Sequence, residues 1–182
     1  PKTPGAKSTP LVLMAPHAGY KYSGAVAGEA YGRIEVPSRV IILNPNHTGL
    51  GARVSVSEFD EWETPLGVAA VDVDLRSAFL KKCPLAELDQ EAHIREHAGE
   101  VQIPFVQRLS PRAKILPITL GSLSEKECRN VGEAMSDTLR ELSPAGQMLI
   151  VASSDMNHYE PADVSKAKAK LANLSVDARD DK

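Results

Sequence analysis

Residues 11–20 read LVLMAPHAGY, an apolar run that leads into turn residues. Five apolar residues, 11–15, run directly into a loop that contains Pro16, His17 and Gly19. A short apolar run bounded by turn residues is typical of a strand buried on both faces, as the strands of parallel sheets are. The sequence therefore predicts a buried strand with His17 just past its carboxyl end.

The same order of an apolar strand and a polar loop recurs along the chain. Residues 39–43 run into the loop at 44–49, residues 114–119 form a further strand, and residues 148–152 run into the loop at 153–159. Long crossovers between such strands imply that successive strands point the same way.

Segments of helical character separate these strands. They are residues 25–33, which are rich in small residues, residues 71–82, part of residues 91–109, and residues 124–142, which begin with a capping-box sequence. The alternation predicts one α/β domain over residues 1–182, layered around a largely parallel or mixed sheet with helices on both faces.

Composition restricts the class of function. The chain has 182 residues, 21 Lys and Arg against 24 Asp and Glu, and one Trp, three Phe and four Tyr. Nucleic-acid binding needs a basic face and, for single strands, aromatic platforms, so we expect no nucleic-acid partner. No apolar run approaches the roughly 20 residues of a membrane span. With two cysteines and no disulfide framework, we expect a cytoplasmic protein without a membrane partner.

Three of the five histidines share one place in the pattern. His17, His47 and His158 each follow a buried strand by a few residues, and Asp155 precedes His158 in its loop. The carboxyl ends of parallel strands meet at the edge where α/β sheets bind ligands, so we expect the three rings to converge. Imidazole and carboxylate suit Fe(II), Zn, Cu or Ni. Without a metal, the same groups can perform acid–base catalysis.

Other residues near these loops are candidates for the wall of the same pocket. Tyr20 and Tyr22 neighbour the first loop, and Glu100 lies one helical turn after His97, where it could orient that ring. The alternative for each is a structural role in the wall or on a solvated face. For His93 we favour the structural role.

Five motifs together resemble the Memo family. They are PHAGY at 16–20 with YSG at 22–24, PNHTG at 45–49, WETPLG at 62–67, EH at 96–97 with EVQIPF at 100–105, and SSD at 153–155 with HY at 158–159. They stand in the family's order and cover most of the chain. The resemblance implies a fold like that of the LigB-type class III extradiol dioxygenases, which are non-haem Fe(II) enzymes.

The resemblance also implies roles for individual residues. His17 and His47 match the two histidines equivalent to the dioxygenase iron ligands, and Asp155 and His158 match further pocket residues, so that either is expected as a third ligand or an acid–base group. The expected pocket residues are Tyr20, Tyr22, Asn46, His97, Glu100 and Tyr159.

One family feature has no counterpart here. The family carries a pocket cysteine in a later Cys-Gly motif, and neither Cys83 nor Cys128 stands in such a motif. We therefore expect the chain to lack N- and C-terminal family segments.

Two functional hypotheses follow. The first is a metal-dependent, dioxygenase-like or redox enzyme that uses Fe(II), with Cu or Zn as alternatives, on a small molecule. The second is a non-catalytic adaptor that uses the pocket without a metal to hold a peptide or small ligand, as the resemblance to an animal signalling adaptor implies. Prokaryotic members are called AmmeMemoRadiSam system protein B, which implies radical-SAM and AMMECR1-like partners.

Overall fold

The computed structural model describes residues 7–142, 148–158 and 160–170. The strands are β1 (Val12–Ala15), β2 (Arg39–Pro45), β3 (Val54–Ser57), β4 (Glu61–Thr64), β5 (Gly67–Ala70), β6 (Ala86–Asp89), β7 (Lys114–Leu120) and β8 (Met148–Ser153). The helices are α1 (Tyr20–Gly32), α2 (Val73–Lys82), α3 (Glu91–Ile94), α4 (His97–Glu100), α5 (Ile103–Leu109) and α6 (Glu125–Leu142). Residues 162–170 are also helical.

Six strands form one mixed sheet in the order β1-β8-β2-β7-β3-β6. Strands β1, β8, β2 and β7 are parallel to one another, β3 runs antiparallel to β7, and β6 is parallel to β3. Strands β4 and β5 form a separate antiparallel hairpin. The predicted α/β class is confirmed. Because β1, β8 and β2 are parallel neighbours, the three loops that follow them leave the same edge of the sheet.

The core lies on the two central strands. On β2, Val40, Ile41 and Ile42 are fully buried, and Ile41 is in register with Leu116 of β7. Consecutive buried residues on one strand require cover on both faces, which explains the unbroken apolar runs of the sequence.

Strand β1 differs from its prediction. Leu13 and Ala15 are buried, whereas Val12 and Met14 are 51% and 52% exposed. Strand β1 is one of the two edge strands of the sheet, and its apolar run is buried on one face only. The expected full burial of residues 11–15 is therefore wrong.

Residues 91–109 form three short helices instead of one. The side chain of Glu96 accepts the N–H of Ala98 and so caps α4, and Pro104 stands in the first turn of α5, where its missing N–H has no cost. This break places Glu96 and His97 at the start of a helix, beside the loop that follows β2.

Helix α6 confirms the capping box. The N–H of Ser124 donates to the carboxylate of Glu127 at 2.8 Å, and the N–H of Glu127 donates back to the Ser124 hydroxyl at 3.3 Å.

In the part of the chain that the structure describes, no helix combines the length and apolar character that a membrane crossing needs.

Candidate functional site

His17 lies in the loop after β1, and the loop after β8 holds it. Its backbone N–H donates to Asp155 Oδ1 at 2.7 Å, and that of Ala18 donates to the same oxygen at 3.3 Å. The ring is 2% exposed, with Nδ1 at 3.2 Å from Ser153 Oγ. The other ring nitrogen, Nε2, is buried and has no hydrogen-bond partner among the described residues. It is an unpaired polar atom at the edge of the sheet.

His47 lies in a tight turn after β2. Asn46 Oδ1 shapes this turn by accepting the N–H groups of Thr48 at 3.0 Å and Gly49 at 2.8 Å. The backbone N–H of His47 donates to Glu96 Oε2 at 2.6 Å, and its ring Nδ1 lies 2.9 Å from Glu96 Oε1. One carboxylate therefore fixes both the backbone and the ring of His47.

Glu96 is a buried carboxylate between two histidines. Its Oε1 lies 3.5 Å from Nδ1 of His97, the first residue of α4. Burial by itself would raise the pKa of Glu96, but hydrogen bonds from His47 and Ala98 outweigh this cost and lower the pKa below its usual value. Glu96 is therefore ionised at neutral pH and attracts the ring protons of its neighbours.

The rings of His17, His47 and His97 form one cluster. Their centroids lie 5.2 Å apart for His17 and His47, 5.8 Å for His17 and His97, and 5.1 Å for His47 and His97. Two imidazoles bound to one metal through bonds of about 2.1 Å place their centroids about 5 to 6 Å apart. Desolvation lowers the pKa of His17, so its ring is neutral at pH 7, the form that binds metals.

The donor atoms of His47, Glu96 and His97 lie within 4.8 Å of one another and form a candidate metal-ligand group. Within this group the two oxygens of Glu96 already accept three N–H groups, two from His47 and one from Ala98. The carboxylate is therefore better placed to orient the histidines than to bind a metal directly.

A cavity of about 790 Å³ opens beside the three rings. Its wall includes His17, His47, His97, Asp155, Met156 and His158. Asp155 Oδ2 lies 3.9 Å from Nε2 of both His17 and His158. The rings of His17 and His47 lie together, whereas His158 lines the same cavity outside the ring cluster, whose third member is His97 of α4.

The other residues suggested for the pocket have varied positions. Tyr22 lines the cavity. The hydroxyl of Tyr20 instead donates to the carbonyl of Val101 at 3.1 Å, and Asn46 holds the turn of His47. Tyr159 lies outside the described residues.

Glu100 is exposed, and Glu96 holds the position near the His97 ring that was expected for Glu100. Helix α4 begins at His97, so Glu96 is its capping residue and contacts His47 in the loop after β2. One sign of this arrangement is visible in the sequence, an acidic residue directly before a histidine. Ser153 and Gln102, which lie against Nδ1 of His17 and against each other, stand within the SSD and EVQIPF motifs, but the sequence did not mark them as site residues.

Residues 1–178 match the family model described as Memo-like protein. The chain belongs to the Memo family. It is 45% identical over 169 residues to a MEMO1 family protein of Aquifex aeolicus, a match that covers 92% of this chain and 61% of the relative. It is 36% identical over 172 residues to one of Methanothermobacter thermautotrophicus, with 93% and 61% covered.

A MEMO1 family protein of Sulfolobus acidocaldarius is 41% identical over 166 residues, which cover 88% of this chain and 57% of the relative. The chain thus spans about three fifths of the length of these Memo family relatives. The family predicted from the five motifs is confirmed.

Proposed function

We propose that this Memo family chain binds a first-row transition-metal ion, with Fe(II) as the first candidate, through His17, His47 and His97. The proposed activity is dioxygenase-like or redox chemistry on a small molecule in the adjoining cavity. The observation that carries the proposal is the cluster of three imidazole rings at 5.1 to 5.8 Å, in which His17 Nε2 is buried and unpaired.

The donor set fits a borderline metal better than a hard one. Nδ1 of His17 and of His47 is held by Ser153 and Glu96, so each ring can offer Nε2 as a ligand. Imidazole suits Fe(II), Zn and Cu, whereas Mg²⁺ and Ca²⁺ prefer oxygen ligands. In this proposal His97 takes the place that the sequence suggested for His158 in the ligand set.

Held by His17, His47 and His97, such an ion would supply Lewis-acid or redox chemistry to the cavity. The chain's own acid–base groups, Asp155 and His158, line the same cavity. Asp155 Oδ1 accepts backbone N–H groups from His17 and Ala18, and Oδ2 lies 3.9 Å from the ring of His158. We assign proton transfer to Asp155 and His158, with Asp155 holding the loop of His17 as well.

Metal titration tests the proposal. Anaerobic Fe(II) and Co(II) titrations of the wild-type chain should give one bound ion per chain, and metal analysis after purification without chelator should find iron, copper or zinc. Replacing His17, His47 or His97 by Ala should lower Co(II) affinity about 100-fold or more, above the 10- to 100-fold typical of groups that only support a ligand.

Two further variants sharpen this test. His93→Gln is the matched control, because His93 packs against Trp62 and Thr119 and does not line the cavity. His158→Ala separates the two ligand sets: unchanged Co(II) affinity supports His97 as the third ligand. Binding below a tenth of an ion per chain, or binding that survives loss of both His17 and His47, would refute the metal site.

The partners follow from family membership alone. We propose that radical-SAM and AMMECR1-like proteins associate with the chain. Co-expression and co-purification of the three proteins tests this, and three separate elution peaks at micromolar concentration would refute a stable complex.

A further inference from the structure

A series of buried, hydrogen-bonded polar side chains leads to Nδ1 of His17. None of its members is a proposed metal ligand. The series comprises Tyr31 of α1, Gln102 at the start of α5, and Ser153 at the end of β8, which are 1%, 0% and 3% exposed. Buried polar atoms need partners, so each link has a donor and an acceptor that can be worked out from the residue types.

The orientation of Gln102 is fixed by a backbone carbonyl. Its side-chain nitrogen lies 3.0 Å from the carbonyl oxygen of Pro16, which can only accept. The nitrogen must therefore be on that side, and its second hydrogen points to Ser153 Oγ at 2.9 Å. The amide oxygen accepts from the Tyr31 hydroxyl at 3.1 Å. Burial raises the pKa of Tyr31, so this hydroxyl keeps its proton and donates.

The proton of the Ser153 hydroxyl is fixed in the same way. It lies on the 2.6 Å bond to the carbonyl oxygen of Ala98, which can only accept. Ser153 Oγ then has two acceptor positions. The Gln102 amide fills one of them, and Nδ1 of His17, at 3.2 Å, must donate to the other.

We infer that Ser153, with its hydroxyl held by Ala98 and Gln102, is a positioning residue that keeps neutral His17 protonated on Nδ1 and leaves Nε2 as a bare lone pair towards the cavity. A neutral histidine free in water prefers the opposite form, with the proton on Nε2. These hydrogen bonds therefore select the less common tautomer, which is the one that can bind a metal through Nε2.

Asp155 is the group that could favour the other tautomer of His17, with the proton on Nε2. Its carboxylate would attract a proton on Nε2 of His17, but Oδ2 lies 3.9 Å from that nitrogen, beyond hydrogen-bond distance. The proton on Nδ1 has an acceptor at 3.2 Å, and moving it to Nε2 would turn the Ser153 hydroxyl away from the buried carbonyl of Ala98. The Nδ1 form is therefore the one in which Ser153 Oγ, the Gln102 amide and the carbonyl of Ala98 all keep their hydrogen bonds.

Long-range ¹H–¹⁵N correlation spectra of chelator-treated, ¹⁵N-labelled protein read the tautomer of each histidine directly, and His17→Ala assigns the His17 signals. The wild-type chain should show His17 protonated on Nδ1 only. Ser153→Ala should give a mixture that contains the Nε2-protonated form, and Gln102→Met should shift the population in the same direction by less. Ser153→Thr, which keeps the hydroxyl, should restore the wild-type pattern.

Ser154→Ala is the matched control, and it should leave the spectrum of His17 unchanged. A wild-type His17 protonated on Nε2, or a Ser153→Ala spectrum identical to that of the wild type, overturns the inference. The wild-type spectrum tests the tautomer even if Ser153→Ala fails to fold, and Gln102→Met and Ser153→Thr then test the role of the Ser153 hydroxyl.

The consequence for metal binding rests on the proposed function, whereas the proton position does not. Ser153→Ala should lower Co(II) affinity about 10- to 100-fold, against no change in Ser154→Ala. A wild-type chain that shows the Nδ1 form and binds no Co(II) refutes the metal site and keeps this inference. A chain that binds Co(II) with His17 protonated on Nε2 before metal addition refutes the inference alone.

Discussion

Replacing Glu96 with Gln tests the tether between the loop of His47 and helix α4. The carboxylate accepts the backbone N–H of His47 through Oε2, and the ring N–H of His47 and the backbone N–H of Ala98 through Oε1. A glutamine of the same shape must turn its NH₂ group towards one of these donors. Because Oε1 serves two of them, we expect the amide nitrogen at the Oε2 position, facing the backbone N–H of His47.

The expected loss of stability follows from these three hydrogen bonds. One buried N–H without an acceptor costs about 1 to 3 kcal/mol, and the two remaining bonds lose their charge assistance. We expect the free energy of unfolding to fall by about 2 to 3 kcal/mol, which for a chain of this size lowers Tm by about 4 to 12 °C. Since the loop of His47 loses its anchor, Co(II) affinity should fall about 10- to 100-fold.

Urea denaturation followed by circular dichroism, on chelator-treated protein, measures the stability term, and Co(II) titration measures the affinity term. Glu100→Gln is the control, because it makes the same chemical change at an exposed position of the same helix and should stay within about 0.5 kcal/mol of wild type. If Glu96→Gln matches Glu100→Gln in both stability and Co(II) affinity, the tether does not hold the site and the reasoning is refuted.

Two further predictions concern the surroundings of the site. In Gly99→Ala the new Cβ would lie 2.5 Å from Asn44 Oδ1, so α4 or the buried Asn44 side chain must move. We expect α4 to move and Co(II) affinity to fall about 10-fold, and the double variant Asn44→Ala/Gly99→Ala to recover part of it because the clashing group is gone. Wild-type affinity in Gly99→Ala would contradict this prediction. Burial would raise the pKa of Asp89, but N–H groups of Ala52, Glu91 and Ala92 and the Ser55 hydroxyl outweigh it and lower this pKa. Asp89 therefore stabilises the fold above its unfolded pKa of about 3.9, and this contribution is lost as pH falls through the lower folded value. Unfolding curves between pH 6 and pH 3 should show a smaller loss of stability in Asp89→Asn than in the wild type, and equal slopes would contradict the assignment.

The positions of β1, β2, β7 and β8 and of two site histidines could be predicted from the sequence because they depend on local patterns. Apolar runs mark β2 and β8, and the parallel order of β1, β8 and β2 brings the loops of His17 and His47 to one edge. The open face of β1 could not be predicted, because an apolar run carries no information about which strand becomes the edge.

The support of the histidines depends on tertiary contacts, which leave weak traces in sequence. Glu96 and Glu100 both flank His97 at plausible spacings, and only the break between α3 and α4 decides that Glu96 turns inward. Gln102 and Ser153 are 51 residues apart, and no periodic pattern connects them. Residues of this kind become visible only when donors and acceptors are matched in three dimensions.

In the proposed metal site, the Glu96 carboxylate also affects the selectivity among ions. Since bonds within the polypeptide already orient the ring of His47, the entropy of ordering that ligand is lost during folding and not during capture of an ion. Preorganisation of this type raises affinity for ions whose preferred geometry the rings match and penalises those that would need the rings to swing. It also separates folding from loading, so that one ion could be exchanged for another without the chain passing through a denatured state.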